Sequence, residues 1–154
     1  MASELAQMIQ TTPLCDTHEH LNGEEEYITN PPDILQSLFD NYVLADLVVA
    51  GARQEAVKSL VDQQNPDLRS RFSAIEPAWA AVQHTGYGEA VRLIAREVYG
   101  IEEITVDALE AAQAQHQMLC APGQRLQILR ERANLDHVQV DNFTRTCPPD
   151  PSGL

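Results

Sequence analysis

Positive charge is scarce in this sequence. Ten Lys and Arg stand against 23 Asp and Glu, a formal net charge of −13. Binding to nucleic acid needs clustered positive charge to displace counterions, so no nucleic-acid partner is expected. Docking on an anionic membrane is disfavoured for the same reason. The acidic surplus fits plain solubility or a metal site lined by carboxylates. Cysteines number three, Cys15, Cys120 and Cys147, with no Cys-x-x-Cys spacing. A disulfide framework and a structural zinc ribbon are therefore not expected, and a reducing, cytoplasmic setting fits. No apolar run approaches the roughly 18 residues of a membrane helix. The first residues carry Glu4 and no basic segment, so no secretory signal is expected. A Gly-rich phosphate loop, a G-x-S-x-G elbow and a Ser/His/Asp spacing are all missing.

The 154 residues are 44% hydrophobic and 21% charged, which suits one compact core. They are too few for a complete eight-stranded α/β barrel of roughly 250 residues. Ser3 can cap a short helix to Gln10, with Leu5, Met8 and Ile9 on one face. After Pro13, Leu14 to His18 reads as a strand, within a first-strand region 12–21. Asn22 to Pro32 reads as a loop, its Glu24-Glu25-Glu26 run solvated. From Asp33 the period becomes 3.6: Ile34, Leu35, Leu38, Phe39, Tyr42, Val43 and Leu47 predict one apolar stripe closed by Gly51. A helix over Gln54 to Gln64 follows. Ser73 and Glu76 have capping-box spacing, for a helix turning Trp79 and Val82 inward. Thr85-Gly86-Tyr87-Gly88 reads as an interruption. Val91, Ile94, Ala95 and Val98 mark a helix ending at Gly100. Thr105 caps the next, to about Leu119, and another covers Gln124 to Ala133. Leu135 to Asp141 alternates apolar and polar, so 135–143 reads as a second strand. Residues 144–154 form a Pro-rich tail. The fold class is α/β and mostly helical, with 33–133 as a helical block between two strands.

The chemistry concentrates in Asp16-Thr17-His18-Glu19-His20. Side chains two apart on a strand share a face, so His18 and His20 can grip one divalent cation while Glu19 points away. Imidazole nitrogen suits zinc and other transition metals. Asp16, on the same face, is a candidate to orient an imidazole. The blander reading is two histidines on a loop without a metal. An apolar strand ending at the pair favours the ligand reading, because barrel enzymes keep their chemistry at that end.

Pro13-Leu14-Cys15-Asp16-Thr17-His18-Glu19-His20-Leu21 resembles the first-strand motif of the amidohydrolase superfamily. Trp79, Thr85-Gly86-Tyr87-Gly88-Glu89-Ala90 and Leu93 to Ile101 resemble the helical insertion after strand one in the uronate-isomerase-like branch. The resemblance spans about residues 10 to 143. It implies the N-terminal part of a metal-dependent (β/α)8 barrel enzyme, with His18 and His20 as two zinc ligands and a metal-activated water attacking a small-molecule substrate. The branch implies instead isomerisation of a sugar acid. The family's other ligands and its catalytic aspartate come from later strands, and no residue here matches them. A catalytic zinc normally has three protein ligands, so the chain alone is expected to be inactive or weakly active. Unpaired strand edges would then favour self-association or a complementary chain.

Other residues are weaker candidates. His84 and Tyr87, beside glycines that allow close backbone approach, could face a substrate. The alternative is a helix-to-helix turn whose glycines supply positive φ. Asp141, at the end of the second strand, is a candidate carboxylate near the metal. His116 reads as a surface residue, His137 as an exposed or edge position, and Cys15 as a small core residue. The rival to an enzyme is a helical interaction module in which His-x-His is incidental.

Overall fold

The structure, a computed structural model, describes residues 3–141. Residues 142–143 of the expected second strand, the Pro-rich tail and Cys147 lie outside the described residues. The chain is α/β: mostly helical, with one two-stranded parallel sheet. It divides into two compact units, one of residues Pro32–Met118 and one of Met1–Pro31 with Leu119–Leu154. No helix among the described residues is long and apolar enough to cross a membrane.

The Pro32–Met118 unit is entirely helical. Asp33 caps α3 (Ile34–Phe39), accepting from the Gln36 amide at 2.9 Å. Ile34, Leu35, Leu38 and Phe39 are all fully buried. The single helix expected here breaks after Phe39 and restarts as α4 (Val43–Val49). Asn41 causes the break: its side chain donates to the Leu38 carbonyl and accepts from the Val43 amide, replacing helical bonds. Tyr42 therefore leaves the apolar stripe and stands 69% exposed. Gly51 closes α4 at a φ of 98°, the left-handed conformation that glycine adopts at least cost. α5 (Gln54–Leu60) and α6 (Leu68–Ser73) follow. The expected capping box at Ser73 does not form. Asp67 caps α6 upstream, accepting from the Ser70 amide, and Ser73 is consumed as that helix's last residue. α7 (Glu76–Val82) carries Trp79 and Val82 inward as expected. The Trp79 ring meets Phe39 edge-on at 5.3 Å between centroids, and Phe39 lies 5.9 Å from Phe72. These rings centre the core.

Thr85 caps α8 (Gly86–Tyr99), its hydroxyl accepting from the Gly88 amide and donating to Asp46. Gly86 and Gly88 thus lie in a first helical turn. Among the described residues, the positive-φ glycines are Gly51, Gly100 and Gly123. The expectation of positive φ at the Thr85–Gly88 segment is corrected, and Gly88 has a different reason to be glycine. A Cβ there would overlap the Val82 carbonyl oxygen and come within 2.8 Å of the Gln83 Cα. Both obstacles are backbone, so neither can swing aside. Gly88→Ala is expected to destabilise the unit by about 2 kcal/mol, read from the urea midpoint, as overpacking typically does.

α9 (Val106–Leu119) is capped by Thr105, as expected. The surface reading of His116 is corrected: the side chain is buried. Its Nε2 is 2.7 Å from the Pro32 carbonyl and its Nδ1 is 3.1 Å from the Tyr99 hydroxyl. A carbonyl only accepts, so Nε2 carries the proton and Nδ1 accepts from tyrosine. Burial lowers the His116 pKa below its ordinary value, opposed by the Pro32 carbonyl and Asp33. A depressed imidazole pKa means the unfolded chain binds the proton first. Stability from this group is complete above the unfolded value of about 6.5 and declines as the pH falls through the folded one. Wild type should lose more of its urea midpoint than His116→Gln between pH 7.5 and pH 5.5.

In the other unit, Ser3 caps α1 (Glu4–Thr11) as expected. Leu5, Met8 and Ile9 are all at least 60% exposed. β1 spans Leu14–Glu19. The loop expected from Asn22 contains α2 (Glu24–Thr29). Its three glutamates occupy the first turn, where the helix dipole favours negative charge. Glu24 also accepts from the Gly123 amide at 2.8 Å, so it is not merely solvated. α10 (Gln124–Gln127) passes into a π-helical turn, Ile128–Arg132, and β2 spans Leu135–Val140. β1 and β2 run parallel, an arrangement that requires a long crossover rather than a hairpin.

Candidate metal centre

The ladder between β1 and β2 is irregular at two places. Leu14 pairs with Leu135 but Cys15 with His137, so β2 holds one extra residue, Asp136. Asp16 pairs with Val138 and Glu19 with Val140, so β1 holds one extra residue between them, in the Thr17-His18 stretch. Such bulges re-aim side chains and interrupt simple alternation.

His18 and His20 come together at the end of β1. Their ring centroids are 5.1 Å apart and the planes cross at 85°. With Zn–N bonds of about 2.0–2.1 Å, two imidazoles on one tetrahedral ion hold their centroids roughly 5 Å apart. The spacing and the donor type therefore fit a zinc-class cation. The His20 Nδ1 lies 3.0 Å from the Asp141 carbonyl. That carbonyl can only accept, so Nδ1 carries the proton and the contact fixes the tautomer of His20. The Asp141 amide in turn donates to the Glu19 carbonyl at 2.8 Å, which ties the end of β2 to β1.

Asp141 thus meets His20 and Glu19 through its backbone carbonyl and amide. The Asp16 carboxylate accepts from the His18 backbone amide at 3.1 Å. It fixes the backbone that carries the His18 ring. Among the described residues, no carboxylate joins His18 and His20 as a compact set of three donors.

A different set does converge. Ligand atoms of Cys15, Asp136 and His137 all lie within 4.8 Å of one another, and all three residues are exposed. Cys15 is therefore not a core residue. The exposed position expected for His137 holds, and its Nδ1 is 3.0 Å from Asp136. Sequence reading takes these residues separately, since only the register places them together.

His84 and Tyr87 belong to the helical unit. The His84 Nδ1 lies 3.1 Å from Arg92, which also pairs with Glu89 at 2.7 Å. Tyr87 is 49% exposed, its ring 5.4 Å from that of Tyr42. These contacts give both residues surface roles within that unit. Compared with protein-family models, curated proteins and solved structures, the chain matches none.

Proposed function

We propose that this chain carries the first strand, helical block and second strand of an amidohydrolase-type, metal-dependent (β/α)8 barrel, and that His18 and His20 hold a zinc ion for a hydrolase. The observation that carries the reading is the juxtaposition of the two imidazoles at the C-terminal end of a strand in a parallel pair. Barrel enzymes place their chemistry at that end. When bound, zinc supplies Lewis acidity that lowers the pKa of a water for attack on a small-molecule substrate. The chain's own residues position the ligands. The Asp141 carbonyl sets the His20 tautomer, and the Asp16 carboxylate holds the His18 amide.

Two imidazoles are one ligand short of a catalytic zinc set. The remaining ligands and the acid–base carboxylate would come from further barrel strands. The 54% exposure of Leu14, 42% of Val140 and the apolar face of α1 are surfaces such strands and helices would cover. A helical interaction module is the rival reading, favoured by the buried core that Pro32–Met118 builds for itself. Zinc K-edge absorption on the zinc-loaded Cys15→Ser chain separates the two. The hydrolase reading expects two imidazole nitrogens at about 2.0–2.1 Å. An oxygen-only shell overturns it.

A further inference from the structure

We propose that Cys15, Asp136 and His137 form a second zinc site on the same two strands. Three donors of different kinds meet here, a thiol, a carboxylate and an imidazole, with ligand atoms within 4.8 Å of one another. Zinc takes all three, and a thiolate selects it over the hard cations magnesium and calcium. The meeting follows from the register. Cys15 pairs with His137, and the extra residue that bulges from β2 between Leu135 and His137 is Asp136. A regular strand would send Asp136 to the opposite face from His137. The bulge instead gives Cys15 two neighbouring donors from β2.

Ligand atoms on a tetrahedral zinc stand roughly 3.3–3.6 Å apart, given bonds of about 2.0–2.3 Å. The cluster must close by about an ångström, and rotation of exposed side chains is sufficient for that. Cys15 enters as thiolate and its proton leaves to solvent. Asp136 already lies 3.0 Å from the His137 ring, so it either joins the ion or orients that imidazole. The other thiol described, Cys120, is buried, donates to the Tyr27 hydroxyl and has its pKa raised by burial, so it does not compete. The site binds the two strands to each other near their N-terminal ends, whereas His18 and His20 lie at the other end of β1. It does not depend on the hydrolase reading.

Cobalt(II) is the probe, because thiolate ligation gives a near-ultraviolet charge-transfer band that imidazole ligation does not. Cobalt titrated into the full reduced chain should give this band at one equivalent, and added zinc should abolish it. Cys15→Ser and His137→Ala should each remove the band, and Asp136→Asn should weaken cobalt binding about tenfold or more. Cys120→Ser and Cys147→Ser should keep it. His18→Ala/His20→Ala should keep it too, so failure of the imidazole-pair site and failure of this one are distinguishable. No band in the wild-type chain, or a band that survives Cys15→Ser, overturns the proposal.

Discussion

Replacing Arg71 by Met is expected to destabilise the helical unit by about 3–5 kcal/mol. The guanidinium is fully buried, and it pairs with Asp33 at 2.5 Å. It also donates to the carbonyls of Ser59, Leu60 and Asn65. One side chain therefore ties α5, α6 and the segment before α3 together. Met fills much of the volume but leaves the Leu60 and Asn65 carbonyls without their donor and the Asp33 carboxylate without its cation, while the Ser59 carbonyl keeps the Asp62 amide. Unsatisfied buried polar groups cost about 1–3 kcal/mol each, so the loss comes from the orphaned partners more than from the ion pair itself. Asp33→Asn should cost less, because its side-chain oxygen can still cap α3 through the Gln36 amide. Urea unfolding at pH 7.5 reads both, and the m-value reports whether the unfolded reference changed. A loss below about 1 kcal/mol for Arg71→Met would mean that water replaces the guanidinium at no great cost.

Arg71 also shows where sequence reading stops. Nothing local distinguishes it from Arg69, two residues earlier, which is 54% exposed and pairs with Asp107 and Glu110 on the surface. The core stripe of α3, the inward Trp79 and Val82, the caps at Ser3, Asp33 and Thr105, and the two strands were all legible, because each rests on local periodicity or a side chain bonding its own backbone. Helix breaks and long-range partners were not. Asn41 splits a continuous apolar stripe through its own side chain, and His116 is buried because Pro32 and Tyr99, distant in sequence, receive it.

The candidate metal centre divides in the same way. His18 and His20 were legible from their spacing, and the structure brings their rings together. The contacts of Asp16 with the His18 amide and of the Asp141 carbonyl with His20 were not legible, since two bulges shift the ladder there. Bulges depend on the register between strands more than a hundred residues apart, and a single strand's pattern does not carry it. The same register assembles Cys15, Asp136 and His137.

The second large effect is expected on metal binding. Loss of an outer-sphere partner of a zinc ligand already costs about 10–100-fold in affinity. Loss of both direct ligands should therefore cost on the order of a hundredfold or more, about 2.7 kcal/mol. Both rings are exposed, so the fold should not register the change. The direct measurement is the zinc dissociation constant, by competition with a chromophoric chelator. It compares Cys15→Ser with the same chain also carrying His18→Ala and His20→Ala, and urea midpoints serve as the folding control. The account predicts one zinc per Cys15→Ser chain, at least about a hundredfold weaker binding without the two imidazoles, and equal midpoints. Equal zinc affinity in the two chains would contradict it.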